Sequence, residues 1–186
     1  ILTISLEYYI IRIRLYKAAA LSRTFYITAR ERFMDYKVKY ENWISSEYLC
    51  SEGVAELKKI SEDDEAIKDA FGAELEFGTA GMRGIIGYGT NRMNVYTVRR
   101  ATKGLADFIK SKGKVAMQRG VAISYDTRNK SELFARAAAG VLLYNDIKVY
   151  IYPEPRPVPM LSYAVRSLNA FAGIMITASH NPKEYN

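Results

Sequence analysis

Thiols are almost absent from this chain: Cys50 is its one cysteine, and a lone cysteine closes no intramolecular disulfide. That sets aside the disulfide-stapled secreted domains and leaves the cytoplasm as the expected compartment. Long apolar runs are missing too, because Glu7, Arg12, Arg14 and Lys17 interrupt the first part of the chain well short of the ~20 residues a membrane span needs. A secretory signal is a poor description, since the basic residues follow the first apolar stretch where they should precede it. No internal repeat and no low-complexity tract occurs. The net charge of +7 is not matched by a basic stripe interleaved with aromatics. Over residues 1–33, six basic residues face Glu7 and Glu31, so +4 of the charge sits there and the remainder is close to balanced. Membrane and nucleic-acid partners are therefore not expected.

What is present is a soluble, globular mixture, 49% apolar and 25% charged over 186 residues, enough for one ordinary domain with extensions. Residues 1–33 mix Ile, Leu and Tyr with scattered arginines in no clear period, and regular patterning begins at Met34. The expectation is a non-native or disordered extension over 1–33, a helical lead-in over 34–72, and a domain over 73–186. Tyr36, Tyr40, Trp43, Ile44 and Tyr48 recur at helical spacing, so a helix is predicted over Asp35 to Leu49. Ser61-Glu62-Asp63-Asp64 resembles a capping box that opens a helix to Phe71. Val98, Ala101, Leu105, Phe108 and Ile109 mark the buried stripe of a helix starting near Asn94. Strands follow at Val121–Tyr125, Ile147–Tyr152 and Ala172–Ile176. They alternate with helices over Glu132–Tyr144, N-capped by Ser131, and over Pro159–Leu168. Strands separated by helices of this length imply βαβ units with right-handed crossovers. The predicted fold is a three-layer α/β/α domain with a mixed, mostly parallel sheet, preceded by the helical segment.

Four segments could carry chemistry. Phe77-Gly78-Thr79-Ala80-Gly81-Met82-Arg83-Gly84, followed by Gly87 and Gly89, can bring backbone amides close to an anion while Arg83 offers a bidentate fork. It lacks the spacing of a P-loop or a dinucleotide fingerprint, and taken alone it reads as a glycine-rich turn with a solvated arginine. Tyr125-Asp126-Thr127-Arg128-Asn129-Lys130-Ser131 places polar residues between a strand and a helix. An anion could use that helix start with Arg128, or Asp126 could simply pair with Arg128 or cap a backbone group. Pro153 to Pro159 is a stiff connector. The fourth segment, Thr177-Ala178-Ser179-His180-Asn181-Pro182, delivers a serine into a polar loop where a buried strand stops, and strand ends are where ligands collect in α/β domains. His180 follows Ser179 directly, but adjacent side chains of an extended segment point apart. With no G-x-S-x-G elbow either, a Ser-His-Asp hydrolase is a poor description. Ser179 alone could be a turn hydroxyl, and His180 a hydrogen-bonded structural imidazole.

Phe77 to Gly84, Tyr125-Asp126-Thr127-Arg128 and Thr177 to Pro182, in this order and at these separations, resemble the first domain of the α-D-phosphohexomutases, the phosphoglucomutases, phosphomannomutases and their relatives. The resemblance covers about residues 40–186. The Ala80-Gly81-Met82 form of the loop is more similar to the phosphoglucomutase and phosphopentomutase branch than to phosphoglucosamine mutases, which usually carry Asp where Ala80 stands. The resemblance implies an intramolecular phosphotransferase that moves phosphate between C1 and C6, or C1 and C5, of a sugar phosphate. Ser179 would be its phosphoserine and a bound bisphosphate, such as glucose 1,6-bisphosphate, its intermediate and activator. It further implies Mg2+ on a phosphoserine oxygen, Arg83 and Thr79 at the transferring phosphoryl group, His180 as a proton-transfer or positioning residue, and Arg128 as a support of the loop. In the family the metal aspartates lie in a D-x-D-x-D segment of a second domain, the sugar grip in a third and the distal phosphate site in a fourth. The expected partners are thus a sugar phosphate and domains II to IV beyond Asn186, and the choice of glucose, mannose, glucosamine or pentose would be set there. The rival expectation is a non-catalytic anion-binding or interaction module on the same scaffold.

Overall fold

The structure, a computed structural model, describes residues 35–78 and 81–186. The extension expected over 1–33, Met34 and Thr79 lie outside the described residues. Two compact units are distinguished, residues 98–179 and residues 35–97 with 180–186.

The first unit is built on a parallel sheet of strands β3 (Val121–Tyr125), β4 (Val149–Ile151) and β5 (Ala172–Ile176), in the order β4-β3-β5. Every residue of β3 is buried, as suits a central parallel strand, and its one small polar residue, Ser124, is satisfied by donating to Arg156 O. Helix α6 (Ser131–Tyr144) leads from β3 to β4 on one side, and helix α7 (Val158–Ser167) carries the chain back across β3 to β5 on the other. Two right-handed crossovers running in opposite directions must lie on opposite faces, which gives the three layers. The side chains agree. Ala122 packs with Leu161 and Ala164 of α7, and a Cβ on Gly173 would stand 2.8 Å from Val165 of the same helix. Helix α6 packs on all three strands. Register then fixes what matters for the site: Tyr125 pairs with Ile176, and Asp126 N–H donates to Ile176 O at 3.1 Å, so the chain leaves β3 and β5 at the same level.

Several local expectations are corrected. The regular ladder of β4 is shorter than Ile147–Tyr152, and β5 is only partly buried, because it is an edge of this sheet. Ser131 is the first residue of α6, not its N-cap; Lys130 holds that position with φ 61° and makes no side-chain cap. Helix α4 (Val95–Ser111) buries Val98, Thr102, Ala106 and Ile109, a stripe rotated from the predicted one. Thr102 is tolerated inside because its hydroxyl donates to Val98 O at 2.8 Å, and Phe108, half exposed, instead lies against Phe171 with Lys112 over its ring. A short helix, α5 (Lys114–Arg119), was not predicted. It ends at Gly120, with φ 72°, where any Cβ would sit 2.3 Å from Lys148 O and only glycine fits.

The second unit holds helices α1 (Tyr36–Ile44), α2 (Ser51–Lys59) and α3 (Asp64–Phe71). Asp35 caps α1 and Asp63 caps α3, each accepting a backbone N–H, as acceptors at N-termini should. Tyr40, Leu57, Ile67, Ala70, Phe71 and Tyr88 form the core, where fully buried Phe71 meets Tyr40 and Trp43 edge-on at ring distances of 5.8 and 5.6 Å. An antiparallel ribbon of β1 (Phe77–Gly78) and β2 (Gly81–Met82) forms the first part of the glycine-rich segment. Among the described residues no helix is long and apolar enough to cross a membrane.

Candidate functional site

In the first unit the predicted serine stands at the carboxyl end of the parallel strands. Ala178 is buried at the end of β5, and Ser179 is exposed with φ 54°. A left-handed conformation on a residue with a Cβ costs roughly 1–2 kcal/mol, so it persists only where neighbours hold it. Two bonds do so. Ser179 N–H donates to Thr177 Oγ1 at 3.0 Å, and Ser179 C=O accepts from the Arg128 guanidinium at 2.5 Å. Arg128 reaches Ser179 because β3 and β5 end level, which places their exit loops side by side.

Arg128 is itself held. Its Nε lies 3.8 Å from Asp126 Oδ2, while Asp126 Oδ1 accepts the Arg128 backbone N–H at 3.0 Å and the Ser131 hydroxyl at 2.7 Å. Ser131 is fully buried, so a hydroxyl expected to cap its own helix instead ties the helix start to the loop before it. The Pro153–Pro159 connector is fastened to the same strand, with Arg156 N–H donating to Tyr125 O and Ser124 Oγ donating to Arg156 O.

In the second unit Arg83 is exposed and donates to Asn181 Oδ1 at 2.9 Å. The meeting follows from backbone pairing: Gly84 and Asn186 exchange both N–H···O bonds at 3.1 Å, and Ile86 N–H donates to Glu184 O at 2.7 Å. The antiparallel register brings residue 83 back to the segment that begins at His180, which is exposed. The glycine loop itself depends on a residue that sequence reasoning used only as a helix boundary. Buried Asn94 donates through Nδ2 to Gly87 O and Gly89 O, both at 3.0 Å, and through Oδ1 accepts Tyr96 N–H and Thr97 N–H at the start of α4. Gly89, at φ 139°, has Ala70 O 2.5 Å from where a Cβ would be, so the loop cannot carry a side chain there. Asn94→Ala would remove the cap and leave buried carbonyls without donors. The expected destabilisation is about 3 kcal/mol, measured by urea unfolding of the chain; a change below about 1 kcal/mol would refute this role for Asn94.

Thus the structure brings together Ser179 and Arg128 in one unit and Arg83 and Asn181 in the other. The family model described as "Phosphoglucomutase/phosphomannomutase, alpha/beta/alpha domain I" matches residues 74–186, well over half of the chain. The chain belongs to this family. It is 41% identical over 145 residues to a phosphoglucomutase of Staphylococcus epidermidis, covering 78% of this chain and 26% of that protein. Similarity to a phosphopentomutase of Mus musculus is 40% over 144 residues, covering 74% and 23%. A solved Thermus thermophilus structure, described as a phosphomannomutase, matches with a TM-score of 0.53 and 37% identity over 61% of this chain and 24% of that one. The chain therefore spans about a quarter of the length of these relatives. The phosphoglucomutase/phosphomannomutase domain I fold accounts for the α/β/α layering found above.

The Ser179 hydroxyl is exposed on a backbone that is hydrogen-bonded at both its N–H and its C=O. An exposed guanidinium anchored on a neutral amide, as Arg83 is on Asn181, keeps its charge available for an oxyanion, whereas Arg128 shares its charge with the Asp126 carboxylate. Sequence reasoning missed Asn94 and Asn181 as anchors. An Asn two residues after the serine carries no local signal that its partner lies 98 positions earlier in the chain.

Proposed function

We propose that this chain is the phosphoserine domain of a sugar-phosphate mutase, an intramolecular phosphotransferase of the phosphoglucomutase/phosphomannomutase type. The observation that carries the reading is Ser179, exposed and left-handed at the end of β5 in a domain of this family. Ser179 Oγ holds the phosphoryl group. A sugar-phosphate hydroxyl attacks it, the P–O bond to Ser179 breaks as the bond to the sugar oxygen forms, and the hydroxyl proton passes through a base, for which His180 is the candidate, to the leaving Ser179 Oγ. The bisphosphate so made, glucose 1,6-bisphosphate for a glucose substrate, returns its other phosphoryl group to Ser179 and leaves with phosphate moved between C1 and C6. Arg83 and Thr79 bind the phosphoryl oxygens in flight, and Arg128 supports the serine from behind. Phosphoryl transfer asks for positioning and charge stabilisation more than for covalent assistance.

Mg2+ on a phosphoserine oxygen would neutralise charge developing in the transition state. Among the described residues no three His, Cys, Asp or Glu side chains gather as a metal cage, and the group that would hold the ion in this reading is the Ser179 phosphate oxygen. The carboxylates, the sugar grip and the distal phosphate site belong to the further domains of the proposed mutase, which is placed in the cytoplasm. Peptide mass spectrometry of the full-length protein purified from cells tests the reading: the phosphate is expected on Ser179. Phosphate on Thr177 or Ser131 with Ser179 unmodified would overturn it.

A further inference from the structure

We infer that Asp126 is a positioning residue for the phosphoryl-carrying serine, acting through Arg128 to hold Ser179 in its left-handed conformation. The inference rests on the reading of Ser179 as that carrier. Asp126 touches neither Ser179 nor, in that reading, any reacting atom. Its carboxylate does three things at once: Oδ1 takes the Arg128 N–H and the Ser131 hydroxyl, and Oδ2 faces Arg128 Nε at 3.8 Å. The first fixes the backbone from which Arg128 springs, the second fastens that loop to a buried residue of α6, and the third sets a negative charge beside the guanidinium. A guanidinium is flat and its N–H donors are fixed relative to one another, so a charge facing Nε also biases where Nη2 points. Nη2 donates to Ser179 C=O at 2.5 Å. The side chains of Asp126 and Arg128 are only 25% and 20% exposed, which keeps the pair from being dispersed by water and salt as an open surface pair would be.

The held conformation is one that serine does not favour. At φ 54° the local bond from Ser179 N–H to Thr177 Oγ1 helps, but it binds only the N-terminal side of the residue. The carbonyl side is held by Arg128, and rotation of Ser179 back to negative φ would swing that carbonyl away from it. Asp126 therefore decides whether the serine is presented in one orientation or several, without taking part in the chemistry.

Asp126→Asn separates the functions, because the amide oxygen can still accept from Arg128 N–H and Ser131 while the group facing Nε loses its charge. The test is solution NMR on the 15N-labelled 186-residue chain, comparing Asp126→Asn, Arg128→Gln and the double variant. A positive φ brings a residue's own amide and Hα protons close together, so the unaltered chain should give a strong intraresidue amide–Hα cross-peak at Ser179. Both single variants should lose that intensity and exchange the Ser179 amide about tenfold faster, while amides of β3 and α6 keep their protection. The double variant should be no worse than Arg128→Gln alone, since Asp126 acts through Arg128. If Asp126→Asn keeps the Ser179 cross-peak, or if the two changes add, the inference is wrong. Should Asp126→Asn lose protection throughout β3, Arg128→Lys decides in its place: it keeps the charge but not the fork, and retention of the cross-peak would overturn the inference. None of these readouts needs turnover, so a Ser179 that never carries phosphate would sink the mutase reading while leaving the positioning to be judged on the spectra.

Discussion

Ser179→Ala should lower mutase turnover by at least about 10^4-fold and abolish uptake of phosphate from glucose 1,6-bisphosphate, in the full-length protein assayed with glucose 1-phosphate and Mg2+. The size follows from the covalent route itself: without Ser179 Oγ there is no first acceptor, and the remaining groups can only steady a phosphate that has nowhere to go. Ser179→Gly separates chemistry from strain. Glycine adopts φ 54° without the Cβ penalty, so this variant should be as inactive as Ser179→Ala yet no less stable than the parent, and up to about 1 kcal/mol more so. Activity retained in both variants would remove Ser179 from the reaction, as a non-catalytic anion-binding module would have it. Activity lost in Ser179→Ala but kept in Ser179→Gly would mean that conformation, and not the hydroxyl, is what the reaction needs.

How much of this was legible in the sequence depends on whether the signal is local. The strands Val121–Tyr125 and Ala172–Ile176 are apolar runs bounded by turn residues, and the structure has them at those limits. The start of α3 was legible only in outline: a helix opening to Phe71 is found, but the cap is Asp63, which accepts Ala66 N–H, and not Ser61 as a capping box over residues 61–64 would have it. Helix α2 was not legible: Gly53 interrupts its pattern and its N-cap, Cys50, turns its thiol to the Tyr88 hydroxyl and does not cap the helix, so only packing of Leu57 into the core recommends it. The stripe of α4 failed for a related reason. Apolarity ranks Phe108 above Thr102, but a threonine that returns its hydroxyl to the preceding turn is cheap to bury, and a phenylalanine at the rim can be served by Phe171 and Lys112.

The candidate site shows the same division. That Ser179 and Arg83 stand in polar loops could be read directly, and the bland reading of Asp126 and Arg128 as a mutually satisfied pair is what the distances show. Their second function needs knowledge of register. Nothing near Arg128 in the sequence points 51 residues ahead to Ser179; the pairing of Tyr125 with Ile176 does. In the same way Arg83 finds Asn181 only because Gly84 and Ile86 pair with the backbone of Asn186 and Glu184.

The 186-residue chain by itself should convert glucose 1-phosphate to glucose 6-phosphate several orders of magnitude more slowly than the phosphoglucomutases it resembles. This chain corresponds to 26% of the Staphylococcus epidermidis protein, and the described residues supply a serine, Arg83 and His180 but no gathered carboxylates. Loss of metal stabilisation alone is worth several kcal/mol of barrier, and each ~1.4 kcal/mol is a tenfold loss of rate. A coupled dehydrogenase assay with bisphosphate activator and Mg2+ measures it. The informative control is the same chain added to a Ser179→Ala full-length protein: if the proposed division of labour is right, a serine supplied on a separate polypeptide cannot replace one held in place, because the effective molarity of a positioned group is lost with the covalent connection. Robust turnover by the chain alone would show that the metal, the sugar grip and the distal phosphate site are either dispensable or already present within these residues.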